Sequence, residues 1–120
     1  MNNKTVTIGV ESGLASARER FGQAMRGVPQ SNRINFAQAS DLTRMLTANR
    51  VQLLETMAGR DAMSVRAIAD LVKRDVKAVH TDLSAMLGCG LLERTDEGLR
   101  FPFDRIHVDF YISSQEPAAA

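Results

Sequence analysis

Lys73, Lys77 and Thr81 recur every fourth residue, with Arg74, Ala78 and His80 set among them. Side chains four apart on a helix share a face. Lys77 and Thr81 therefore look outward together, with Ala78 beside them and the Lys73-Arg74 pair just ahead. Lysine and arginine neutralise phosphates, whereas lysine, threonine and small alanine suit base edges in a major groove. The chemistry on offer is duplex contact, with Lys73 and Arg74 on phosphate and Lys77, Ala78, Thr81 and, by position, His80 on bases. By residue type His80 reads as a packing or capping residue near Asp82 rather than a pH switch or a ligand. Arg66 is placed to reach the other side of a backbone, and Arg94 and Arg100 flank a later turn suited to phosphate or minor-groove contact.

The surrounding pattern supplies elements to hold these groups. Ser64 caps a helix whose apolar positions Val65, Ile68, Ala69 and Val72 form an i, i+3, i+4, i+7 stripe. After the Lys73-Arg74 connection, Asp75 caps a second helix with Val76, Val79, Leu83, Met86 and Leu87 turned inward, ended by Gly88-Cys89-Gly90. Thr47 caps a supporting helix to about Ala58, with Val51, Leu54 and Met57-Ala58 expected inside. Ser40-Asp41 is expected to cap a short helix presenting Leu42, Met45 and Leu46. Leu91 to Thr95, the turn Asp96-Glu97-Gly98 and Leu99 to Phe101 read as a hairpin. Helix, short turn, helix and hairpin make a winged helix-turn-helix. Asp96 and Glu97 sit awkwardly there, because a wing that enters DNA is normally basic.

Outside that unit, Lys4 to Val10 alternates as a half-buried strand, and Ser12 to Arg26 reads as a helix with Leu14, Ala17, Phe21, Ala24 and Met25 near one stripe. Gly27-Val28-Pro29 stops it. Arg33 to Ala37 is a short candidate strand, and Ile106, Val108, Phe110 and Ile112 alternate in a last one. The fold class expected is mainly α with small β (α+β), a winged helix-turn-helix with an extra N-terminal strand and helix. Residues 1–36 are expected to form a dimerisation segment, 37–112 the DNA-binding domain and 113–120 a loose tail. The strands at Lys4–Val10 and Ile106–Ile112 are free to pair within one chain or between two.

Composition closes off other classes. A chain of 120 residues carries one domain-sized core. Fifteen Lys+Arg against fourteen Asp+Glu leave a formal +1, so any basic surface comes from arrangement. No apolar run is long enough to span a bilayer, and the N-terminus lacks a secretory apolar stretch, which points to the cytoplasm. With six aromatics, four of them near the C-terminus, stacking on single strands is disfavoured. Cys89 is the one cysteine, and His107 and Asp109 have no third ligand in view, so no metal is expected. There is no Gly-rich phosphate loop, no Ser-His-Asp set and no apolar carboxylate pair. Neither an enzyme nor a cofactor is expected. Met45, Met57, Met63 and Met86 read as core filler.

The runs Leu46-Thr47-Ala48-Asn49-Arg50, Ser64-Val65-Arg66-Ala67-Ile68-Ala69, Arg74-Asp75-Val76-Lys77-Ala78-Val79-His80-Thr81-Asp82-Leu83 and Gly90-Leu91-Leu92-Glu93 resemble a small prokaryotic family of winged-helix transcriptional regulators of MarR-like architecture. The resemblance covers roughly residues 36 to 110. It implies double-stranded DNA as partner, a homodimer and autoregulation, and for some members a place in toxin–antitoxin operons. The alternative is an antitoxin or adaptor that chiefly binds a toxin or other protein.

Overall fold

The computed structural model describes residues 4–10, 14–27 and 32–112, without the side chains of residues 14–17 and 20. The expected helix start at Ser12, its stop at Val28-Pro29 and the tail 113–120 lie outside the described residues. Among the described residues the chain is an α+β domain of five helices and two sheets. No helix there is long and apolar enough to cross a membrane.

Strand β1 (Thr5–Val10) lies between β2 (Asn32–Phe36) and β5 (Arg105–Asp109), and both pairings are parallel. Parallel neighbours need a crossover, and helix α1 (Leu14–Met25) supplies it between β1 and β2. The choice between pairing within and between chains is thereby resolved for β1, whose two edges are both occupied within this chain. Val6 and Ile8 point into the core at 1% and 0% exposure. Their neighbours Thr5 and Thr7, in register with Arg33, Arg105 and His107, form a polar opposite face. That polarity accounts for a difference from expectation in α1. Its apolar side chains Phe21 and Met25 remain exposed, because the apolar sheet face is already covered by other helices.

Helix α2 (Ala39–Met45) covers that face through buried Leu42. It starts earlier than Ser40-Asp41 capping would require. Gln38 is the N-cap and makes no side-chain cap, while the Ser40 hydroxyl donates to Gln38 Oε1 at 3.3 Å. In α3 (Ala48–Met57) the Thr47 hydroxyl accepts the Arg50 amide at 3.2 Å, as expected of a cap. Its buried set is Leu53, Leu54 and Met57, so Val51 turns out to be exposed and Leu53 takes the inward place. Helices α4 (Val65–Val72) and α5 (Val76–Gly88) complete the helical layer. Ile68, Val79, Leu83 and Met86 pack there in one cluster that also contains Val6 and Ile8.

The hairpin of β3 (Glu93–Thr95) and β4 (Gly98–Arg100) is fastened to the segment before α4. Met63 and Leu99 exchange backbone hydrogen bonds of 2.9 and 2.8 Å. Gly98 has φ +133°, and a β-carbon there would run into the Met63 carbonyl. Gly98→Ala should therefore lower stability by about 1 to 3 kcal/mol, from strain at a glycine-only conformation. A urea midpoint equal to that of the parent protein would disprove the close approach. Val79→Asp places an unpaired charge in the centre of the cluster and should abolish cooperative thermal unfolding.

Candidate nucleic-acid interface

Two local devices set the direction of α5. The Ser64 hydroxyl accepts the Ala67 amide at 3.1 Å and starts α4. One Asp75 carboxylate oxygen accepts the amides of Lys77 and Ala78 at 3.0 and 3.2 Å and starts α5. Between them Lys73 closes α4 in the left-handed region (φ 56°), and the Arg74 amide donates to the Ala69 carbonyl at 3.1 Å. Glycine is the usual residue at such a helix end because a β-carbon costs about 1 kcal/mol or more there. Here a lysine occupies it with its side chain exposed.

A third device is long-range. Arg50 Nε donates to Asp82 Oδ1 at 2.9 Å, and Arg74 Nη2 donates to Asp82 Oδ2 at the same distance. The three side chains are 15 to 21% exposed, so the pairs are largely shielded from water. Burial pushes the Asp82 carboxyl up, but hydrogen bonds from Arg50 and Arg74, with both charges, outweigh it and hold the group below its ordinary value. Arg50 also donates to the Met45 carbonyl at 3.2 Å. Arg74 Nη1 is buried without a hydrogen-bond partner. One carboxylate thus ties the first turn of α3, the α4–α5 turn and the middle of α5.

Arg74, expected to reach a phosphate, has its guanidinium turned toward Asp82 and only partly exposed. Arg50 was missed, because its partner lies 32 residues away and no local spacing announces it. The remaining residues of α5 are arranged as expected. Lys77, Ala78, His80, Thr81 and Ser84 are exposed opposite buried Val79, Leu83 and Met86. The exposure of His80 excludes the packing role, and Ala85 on the same helix is half-buried. Thr81 donates its hydroxyl to the Lys77 carbonyl at 3.1 Å.

Arg66 is exposed on α4. On the hairpin, Arg94 stands opposite Leu99 and Arg100 opposite Glu93, so the two arginines alternate between the ribbon's faces and form no joint patch. Arg100 Nε lies 3.2 Å from Glu93 Oε1. At the tip, the Thr95 hydroxyl accepts the Glu97 amide at 3.2 Å, and Asp96 is exposed. Cys89 is half-buried, donates to the Met86 carbonyl at 3.5 Å, and has its thiol pushed up by burial. Among the described residues no His, Cys, Asp or Glu cluster is placed to hold a metal ion.

Asp82→Asn keeps the shape but strands two guanidinium charges, and should cost about 3 kcal/mol in urea unfolding. The pH dependence has a definite sign. A carboxyl held low in the fold contributes stability above its ordinary 3.8 and loses it as pH falls toward the folded value. Acid unfolding of the parent protein should therefore include this loss, and Asp82→Asn should flatten that part of the profile. Lys73→Gly should raise stability by up to about 1 kcal/mol by relieving the left-handed residue; a lowered melting temperature would contradict the assigned geometry.

No curated protein and no solved structure matches the chain. The family HVO_A0114 matches residues 45–108, which take in α3, α4, α5, the hairpin and most of β5, along with Arg50, Arg74 and Asp82. A match over that much of the sequence places the ion-paired helices inside the shared part, and the chain belongs to the HVO_A0114 family.

Proposed function

We propose that the protein is a sequence-specific double-stranded DNA-binding regulator, an autoregulating homodimeric repressor, with α5 as its reading helix. The reading is supported by the order α3, the Met63 bridge, α4, α5 and the hairpin, which is the order expected of a winged helix-turn-helix whose short strand before the second helix pairs with the wing. The observation carrying the proposal is the exposed face of α5, where Lys77 and Ser84 offer donors and Ala78 and Thr81 add little bulk beside the exposed Lys73. A major groove about 12 Å wide admits a helix with such a face, and contacts come mainly from its first turns. Phosphate contact in this scheme falls to Lys73, Arg66 and Arg94. Arg74 instead holds the helix in place. No catalytic step is part of the proposal.

A second reading, an antitoxin or adaptor that grips another protein, is favoured by the acidic hairpin tip at Asp96 and Glu97. Fluorescence anisotropy with the DNA upstream of the protein's own reading frame separates the two. Specific binding should fall steeply with salt, with a log–log slope of several units for about 6 to 10 phosphates contacted per dimer. Lys77→Ala or Thr81→Ala should reduce discrimination at one base pair by about 1 to 3 kcal/mol. Lys73→Gly should weaken all duplexes alike despite its gain in stability. No binding to the upstream duplex at low salt would exclude the regulator reading.

A further inference from the structure

Strand β5 is hydrogen-bonded to β1 along one side, and among the described residues no strand pairs with its other side. Open edges are normally guarded by charge or proline, since they invite another strand. The edge of β5 is charged, but in a self-complementary way. Its five residues are Arg105, Ile106, His107, Val108 and Asp109, with a cation at one end, an anion at the other and two apolar residues between.

We propose that β5 pairs antiparallel with β5 of a second copy about a two-fold axis at His107. In that register each Arg105 faces the second copy's Asp109, and each Ile106 faces the second copy's Val108. Opposite charges directly across an antiparallel pair stabilise it, and like charges oppose it. The whole strand is paired, because His107 is its midpoint. A slip by one residue would set Ile106 against His107 and mix the apolar and polar faces. A slip by two residues, centred on Val108, would leave Arg105 facing Tyr111 without a counter-charge. The other open edge, β2, has no such symmetry. Self-pairing about Ile34 would set Arg33 against Asn35 and Asn32 against Phe36.

A second observation lies beside the same edge. An apolar groove of about 370 Å³ runs between α3 and β5, lined by Leu46, Val51, Leu54, Ala58, Ile106 and Val108. Val51 and Val108 are 40% and 45% exposed there. Two-fold pairing of β5 sets one groove beside the other and covers both valines, within a six-stranded sheet ordered β2-β1-β5-β5-β1-β2. The contact is isologous, so it closes at two copies. It gives the homodimer of the proposed regulator a specific surface, different from the 1–36 segment. It is measured without DNA, so it and the DNA-binding reading fail separately.

Sedimentation velocity on the full chain without DNA should give twice the 13.2 kDa mass at micromolar concentration. Asp109→Arg sets arginine against arginine at both ends and should raise the dimer dissociation constant at least tenfold. The double variant Arg105→Asp, Asp109→Arg exchanges the charges and should restore the parent value, which a merely misfolded edge would not do. In a Cys89→Ser background, His107→Cys should form an intermolecular disulfide on oxidation, since directly opposed residues lie within disulfide reach. A monomer at all concentrations, a dimer indifferent to Asp109→Arg, or cross-linking through Val108→Cys but not His107→Cys would each overturn the proposal.

Discussion

Two guanidinium groups share one carboxylate at the centre of the helical layer, and the placing of α5 depends on that arrangement. Hydrophobic packing through Val79, Leu83 and Met86 fixes which face of α5 is inward, yet apolar contacts are non-directional and tolerate sliding. The Asp82 bonds to Arg50 and Arg74 are directional and meet α5 from two separate elements. A shift of α5 along its axis would break the Arg50 bond, while the Arg74 bond fastens the helix to the turn that precedes it. The cost is visible in the same place, because two cations on one anion leave an excess positive charge and Arg74 Nη1 buried without a partner. Buried ion pairs contribute little net stability but strongly penalise alternatives that separate them. The triad therefore specifies the position of the helix more than it stabilises the domain.

The parts of this design that were legible in the sequence are local ones. Thr47, Ser64 and Asp75 were identifiable as caps because the hydroxyl or carboxylate reaches amides two or three residues ahead. The inward register of α5 was legible because its period is set by the helix itself. Ser40 was misread because a hydroxyl near a helix start can bond to Gln38 instead of the backbone. Val51 was misread because α3 meets two surfaces, and which one fills depends on where β5 lies. Arg50 and Arg74 carried no signal, since a charged side chain near a turn looks the same whether it faces water or a distant aspartate.

The sheet shows a different kind of limit. Alternation announced β1 and β5 as strands, but alternation does not encode direction or neighbour. A parallel order of β2-β1-β5 follows from the crossover through α1 and from the return of the chain after the hairpin. Phe101 and Phe103 pack edge to face with centroids 5.7 Å apart, and the Asp104 amide donates to the Lys4 carbonyl at 2.7 Å. Those contacts deliver β5 to the side of β1. Lys4 Nζ lies 5.4 Å from the centre of the Phe103 ring and reinforces the same junction. This junction adds to the contacts of Val6, Ile8 and Leu42 with the helical layer, and β1 is the middle strand of the sheet.

The distribution of charge links α5 to the open edge. The chain carries almost no net charge, and the inward turn of Arg74 removes one cation from the surface proposed to meet DNA. Lys73, Lys77, Arg66 and Arg94 remain, while the hairpin tip is acidic. Affinity for duplex grows with the number of phosphates neutralised, so in the proposed regulator a single copy with so few cations would bind weakly at physiological salt. Pairing two copies doubles that number and makes the second contact intramolecular. If α5 meets DNA as proposed, a chain that commits Arg74 to holding its helix would depend on a partner copy for the electrostatics it has given up. The self-complementary β5 is the element of the fold that can supply that copy.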